Sequence, residues 1–103
     1  MGVTALLCQN DDAALGMIPV LQDAGYDVPK DMSVVGFDGT ELAEYCSPSL
    51  TTVEVPLREM SIRGTEILLR QIEQNLENAQ MRIEKTILPA RLVVRESTAP
   101  PRA

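Results

Sequence analysis

The polar residues best placed to do chemistry fall in two short clusters, each directly after an apolar run. Gln9-Asn10-Asp11-Asp12 follows VTALLC (residues 3–8), and Asp38-Gly39-Thr40 follows MSVVGF (residues 32–37). Short amides and carboxylates at such places can bind the hydroxyls of a small polar ligand. They also have a plainer use: Asn10 or Asp11 can cap a helix, and Asp38-Gly39 can make a turn. Catalysis is poorly served. There is no His, so a Cys–His pair is impossible within the chain. Cys8 and Cys46 alone make no usual zinc site. The best acid–base pair is Asp11 with Asp38, and nothing else in the sequence organises it. The expectation is a binding segment without a cofactor, not an enzyme.

Those clusters need elements to hold them. Residues 3–8 and 32–37 read as buried strands, being short apolar runs with polar bounds. Between them, a helix is expected from Asn10 or Asp11 to about Ala24. Leu15, Ile18 and Leu21 or Gln22 would face inward, with Gly25 as the residue after the cap. Pro19 interrupts this pattern in the third turn. Strand, helix and strand then form a right-handed βαβ unit. Residues 41–45 suit one helical turn, and residues 50–55 (LTTVEV) a third extended piece.

Pro56 opens the longest helix. Leu57, Met60, Gly64, Ile67, Leu68, Ile72 and Leu76 recur at three- and four-residue steps to about Gln80, which makes an apolar stripe. Gly64 is expected to mark close packing. Residues 83–88 and 91–96 (RLVVRE) read as two final strands, and residues 97–103 as a disordered tail. The class is α/β with a mostly parallel sheet flanked by helices. In such sheets, ligands bind beyond the carboxyl ends of the strands. Consecutive parallel strands would place Asn10 and Asp38 side by side on that rim.

Composition narrows the partners. Apolar residues make up 45% and aromatics 3%, so the core is aliphatic and no aromatic platform for bases or sugars is expected. Residues 1–55 hold nine acids against Lys30 alone, while residues 56–103 hold eight bases against six Glu. An acidic first half repels phosphate backbones, so nucleic-acid contact by this chain is not expected. No stretch has membrane length and no signal-peptide pattern opens the chain, which reads as cytoplasmic.

The run CQNDDAALG, then AGYDVPKDMSVVGFDGTELAEYCSPSLTTVEVPLREM, then LPARLVVRESTAPP resembles the LacI/GalR repressors over about residues 3–101. The linked pattern AG-x-x-VP-x-D-x-SV-x-GFD, followed by P-x-LTTV-x-x-P, carries the resemblance. It implies a partial periplasmic-binding-protein-like fold of type I. Residues 1–55 would belong to the C-terminal lobe of an effector domain. Residues 56–90 would supply a crossover helix and strand of the N-terminal lobe, and residues 91–96 would return.

The resemblance also implies a function. A small effector, a sugar or a purine, sits between the lobes of a homodimer or larger assembly. It alters operator binding by a DNA-reading headpiece that this chain lacks. Position by position, Asn10 and Asp38 match effector contacts. Val55 and Leu57 lie in the last crossover, where Val55 replaces a common polar residue. Leu15, Tyr45 and Cys46 match dimer-face positions. The alternative is a fragment of a sugar-binding protein from a transport system, which shares the fold.

Overall fold

The computed structural model describes residues 2–76 and 83–103. It has two compact units, Met1–Val55 with Ala90–Ala103, and Pro56–Pro89. The first contains β1 (Ala5–Leu7), α1 (Asp11–Asp23), β2 (Ser33–Val35), α2 (Glu41–Tyr45), β3 (Thr52–Glu54) and β4 (Arg91–Val93). The second contains α3 (Leu57–Leu76).

β1 and β2 pair in parallel, with Ala5 opposite Ser33 and Leu7 opposite Val35. β3 follows the other edge of β2 in the same direction, through bridges Val35–Thr51 and Asp38–Glu54. The Gly36 and Asp38 N–H groups donate to the Thr51 and Val53 carbonyls, both at 2.9 Å. Three parallel strands therefore end on one rim. β4 adds to β3 antiparallel, with Thr52 opposite Val93.

α1 forms where its caps dictate. Asn10 accepts the Ala13 N–H at 2.8 Å, and Asp11 and Asp12 lie at the positive end of the helix. At the other end, Gly25 takes a φ of 91°. The Gly25 N–H donates to the Gln22 carbonyl and the Tyr26 N–H to the Leu21 carbonyl, which satisfies two of the last free acceptors. Pro19 lies inside an unbroken helix and is exposed. Ala14 and Ile18, four residues apart, are buried with Val28, Val34, Ala43 and Leu50. Leu15 and Leu21 are half-buried against this core, and Gln22 is exposed. Full burial of a side chain such as Leu50 stabilises by about 1.5–3 kcal/mol. This core fixes α1 and α2 to the sheet and so fixes the rim.

The C-terminal tail departs from expectation. Residues 97–103, read from the sequence as disordered, are tied to the first unit. Ser97 is fully buried. Its N–H donates to the Ser49 carbonyl and its carbonyl accepts the Val34 N–H, both at 2.9 Å. Ser33 Oγ donates to the Ala99 carbonyl at 3.1 Å and accepts the Ala99 N–H at 3.0 Å. Arg102 donates to the carbonyls of Asp31 and Val3. The cause is an open edge of β2 below β3, where Val34 needs a partner and the tail supplies it.

In the second unit, residues 83–88 form no strand, because no ladder partner meets them among the described residues. Arg70 pairs with Glu84 at 3.0 Å, joining this segment to α3. Met60, Gly64, Ile67, Ile87 and Leu88 line a groove of about 420 Å³ between the two. A Cβ on Gly64 would meet nothing within 4 Å, so the close packing expected there is absent. The expected helix end near Gln80 lies outside the described residues. No described helix is long and apolar enough to cross a membrane.

Candidate functional site

The rim at the carboxyl ends of β1, β2 and β3 is built around Asp11. Its N–H donates to the Phe37 carbonyl at 2.9 Å, which links the residue after Asn10 to the residue before Asp38. Its side chain is fully buried. Oδ2 accepts the Thr40 N–H at 2.6 Å and the Thr40 hydroxyl at 2.9 Å. Oδ1 accepts the Thr52 hydroxyl at 2.5 Å. Burying a charge is costly unless hydrogen bonds replace its water, and three donors do so here. One carboxylate thus joins the residue after β1 to Thr40 beyond β2 and to Thr52 at the start of β3.

Asp38 sits on this rim with a φ of 117°, the one non-glycine residue with positive φ among those described. Its N–H donates to the Val53 carbonyl and its carbonyl accepts the Val55 N–H at 3.0 Å. Such a backbone costs of order 1–3 kcal/mol and persists only where its surroundings impose it. Among the described residues, no hydrogen bond or ion pair engages its carboxylate. The carboxylate is only partly exposed and can accept two or more hydrogen bonds from a ligand.

Two glycines leave room for this arrangement. A Cβ on Gly36 would collide with Asp11 Oδ1 and lie 2.8 Å from Leu50 Cδ2. A Cβ on Gly39, whose φ is 81°, would lie 2.8 Å from Glu54 Cα.

The structure brings Asn10, Asp38 and Val55 to adjacent strand ends. Asn10 uses its side-chain oxygen as the α1 cap, and its amide N–H groups make no bond among the described residues. Both readings of Asn10, helix cap and ligand donor, are therefore compatible in one side chain. Val55 is half-buried beside Asp38. Leu57 falls in the second unit, where it is exposed. Glu54 and Arg91 pair across β3 and β4 at 3.3 Å, a solvent-exposed contact worth about 0–1 kcal/mol.

The three residues assigned from sequence to a dimer face also lie together. Leu15, Tyr45 and Cys46 line a groove of about 350 Å³ with Ile18, Pro19 and Leu42. Tyr45 is 72% exposed, so much of its apolar ring meets solvent. The Cys46 thiol donates to the Pro48 carbonyl at 3.2 Å. Cys8 packs against the core, and burial pushes its thiol pKa up. No group of three or more His, Cys, Asp or Glu suited to a metal occurs among the described residues.

Sequence reasoning missed Thr52, Gly36 and Ser97. Thr52 read only as a strand residue, and Ser97 as part of a tail. The one available signal was two Thr in succession between Leu50 and Val53, which implies a buried polar partner.

Comparison with known proteins supplies the context. The sequence model for the periplasmic binding protein-like domain matches residues 2–98. The chain is 51% identical over 70 residues to the HTH-type transcriptional repressor PurR of Vibrio cholerae, covering 68% of this chain and 21% of that protein. It is 40% identical over 95 residues to the HTH-type transcriptional regulator MalR of Clostridium butyricum, covering 92% of this chain and 27% of that protein. A crystal structure of a LacI family transcriptional regulator from Enterococcus faecium with bound ribose superposes with a TM-score of 0.83 at 32% identity. That match covers 99% of this chain and 37% of the other. The chain thus spans about a fifth to two fifths of these proteins.

Proposed function

The chain belongs to the periplasmic binding protein-like domain family, in the form carried by LacI-type regulators, and from that premise we propose that it is the effector-binding and dimerisation segment of a ligand-gated transcriptional regulator. The observation that carries this reading is Asp38. Its strained backbone holds an uncommitted carboxylate on the rim of three parallel strands, at the end of the strand next to the one that leads to Asn10. Outlying backbone geometry of this kind concentrates at ligand sites, and open α/β sheets bind ligands at this rim.

Asp38 accepts hydrogen bonds from the effector, Asn10 donates through its amide, and Val55 gives an apolar contact. Leu57, two residues on in the chain, is a further candidate contact. A sugar is the favoured effector class. Its hydroxyls suit a rim of acceptors and donors, and the Enterococcus faecium relative holds ribose. A purine is the other class to test, given the similarity to PurR. Operator DNA is contacted by a headpiece elsewhere in the full-length protein, because residues 1–55 are strongly acidic. A second copy covers the groove at Leu15, Tyr45 and Cys46. The segment performs no catalysis.

The test is an operator-reporter assay on the full-length regulator with Asp38→Ala. Response to effector should be lost while operator binding persists. Normal effector response from this variant would refute the assignment.

A further inference from the structure

We propose that Asp11 is the positioning residue of this site: it holds the carboxylate of Asp38 in place without touching the ligand. The proposal rests on the reading of Asp38 as an effector contact, and it adds the device that fixes Asp38. Asp11 grips the segment on both sides of Asp38-Gly39. Its backbone N–H donates to the Phe37 carbonyl, just before the pair. Its Oδ2 accepts both the N–H and the hydroxyl of Thr40, just after it.

A fourth bond anchors the grip to β3. Thr52 Oγ1 donates to Asp11 Oδ1, and the neighbouring Val53 carbonyl accepts the Asp38 N–H. Asp38 is thus held at residues 37, 38 and 40 against one buried group and one strand. A φ of 117° is disfavoured for aspartate and relaxes toward ordinary extended backbone unless it is over-determined. The short Asp11 side chain reaches Thr40 and Thr52 together only because Gly36 presents no Cβ between them.

The arrangement also assigns the two adjacent acids opposite tasks. Asp11 is fully buried and saturated by donors, whereas Asp12 is exposed in the first turn of α1. Only Asp11 can set the rim. An Asn at this position is nearly isosteric. Its oxygen can still accept from Thr40, while the Thr52 hydroxyl turns to accept from its amide. Ala removes the three side-chain bonds and keeps only the backbone bond to Phe37.

The test uses the isotopically labelled full-length regulator and no ligand. The amide-to-Hα coupling of Asp38 reports its φ, and hydrogen exchange reports protection of the Thr40 and Val55 amides. Wild type and Asp11→Asn should share the small coupling of a positive φ. Asp11→Ala should show the large coupling of extended backbone and at least roughly tenfold faster exchange at Thr40. The Val34 and Val35 amides should stay protected. A small Asp38 coupling in a folded Asp11→Ala chain overturns the proposal. If Asp11→Ala does not fold, Thr52→Val decides. Faster Thr40 exchange with the core protected supports the proposal, and unchanged exchange overturns it. Because no effector is present, this outcome is independent of whether Asp38→Ala changes effector response.

Discussion

Ser97 completes the β2 edge at Val34: its carbonyl accepts the Val34 N–H at 2.9 Å and its hydroxyl donates to the Val34 carbonyl at 2.6 Å. The same hydroxyl accepts the Thr51 N–H at 2.9 Å. A single buried side chain therefore serves two strands. Ser97→Ala keeps the backbone bond and leaves two buried backbone groups without partners. The expected loss is about 1–3 kcal/mol, read as a lower urea midpoint. An unchanged midpoint would show that the tail does not supply the edge.

Gly36→Ala tests the packing beneath the rim. The added methyl meets Asp11 and Leu50, both fully buried and held in place. Overpacking of this kind costs about 1–3 kcal/mol. Gly64→Ala is the control, since its Cβ would meet only open space in the second unit. Replacing a mid-helix glycine there should stabilise by up to about 1 kcal/mol. Thermal unfolding of the two variants should therefore move in opposite directions.

Much of this architecture was legible in the residue order. Apolar runs of strand length marked β1 and β2, LTTVEV read as the extended piece that holds β3, and Asn10 and Gly25 marked the ends of α1. Their order implied a parallel rim with Asn10 and Asp38 at the ends of neighbouring strands. What stayed hidden was non-local. Nothing in Ser97-Thr98-Ala99 announces that Val34, more than 60 positions earlier, lacks a partner. Asp11 read as a cap or, less favoured, as a ligand contact, because its role depends on Thr40 beyond β2 and Thr52 at the start of β3. Residues 83–88 have strand composition, but a strand exists only where a neighbour pairs with it.

Glu96 gives a pH signature. It accepts the backbone N–H and hydroxyl of Ser49, and the backbone bond foremost holds its pKa below the ordinary glutamate value. Its folded pKa is depressed, so its contribution to stability is complete above the unfolded value. It is lost as pH falls through the folded value. Glu96 should titrate by NMR at lower pH than a glutamate in an unstructured peptide. Glu96→Gln should remove the corresponding part of the stability change on acidification. A Glu96 midpoint at the peptide value would rule out the Ser49 contact in solution.

The second unit should drive association. Along α3, Leu57, Leu68 and Leu69 are more than half exposed, and Ile83 and Ile87 are at least 90% exposed. Apolar patches of this extent are covered in stable proteins. Light scattering of the isolated chain should give a mass of two copies or more. Leu69→Glu with Ile87→Glu should lower it. A monodisperse mass of 11.3 kDa for the unaltered chain would contradict this.

In the proposed site Asn10 and Asp38 both touch the effector, and calorimetry of the full-length regulator is the decisive measurement. A panel of pentoses, hexoses, disaccharides and purine bases identifies the ligand, and that ligand is then titrated into Asn10→Ala and Asp38→Ala. Hydrogen bonds to a charged group contribute about 1.5–3 kcal/mol, so Asp38→Ala should weaken binding roughly tenfold to a hundredfold, with a smaller loss for Asn10→Ala. Wild-type affinity in both variants would overturn the proposed site.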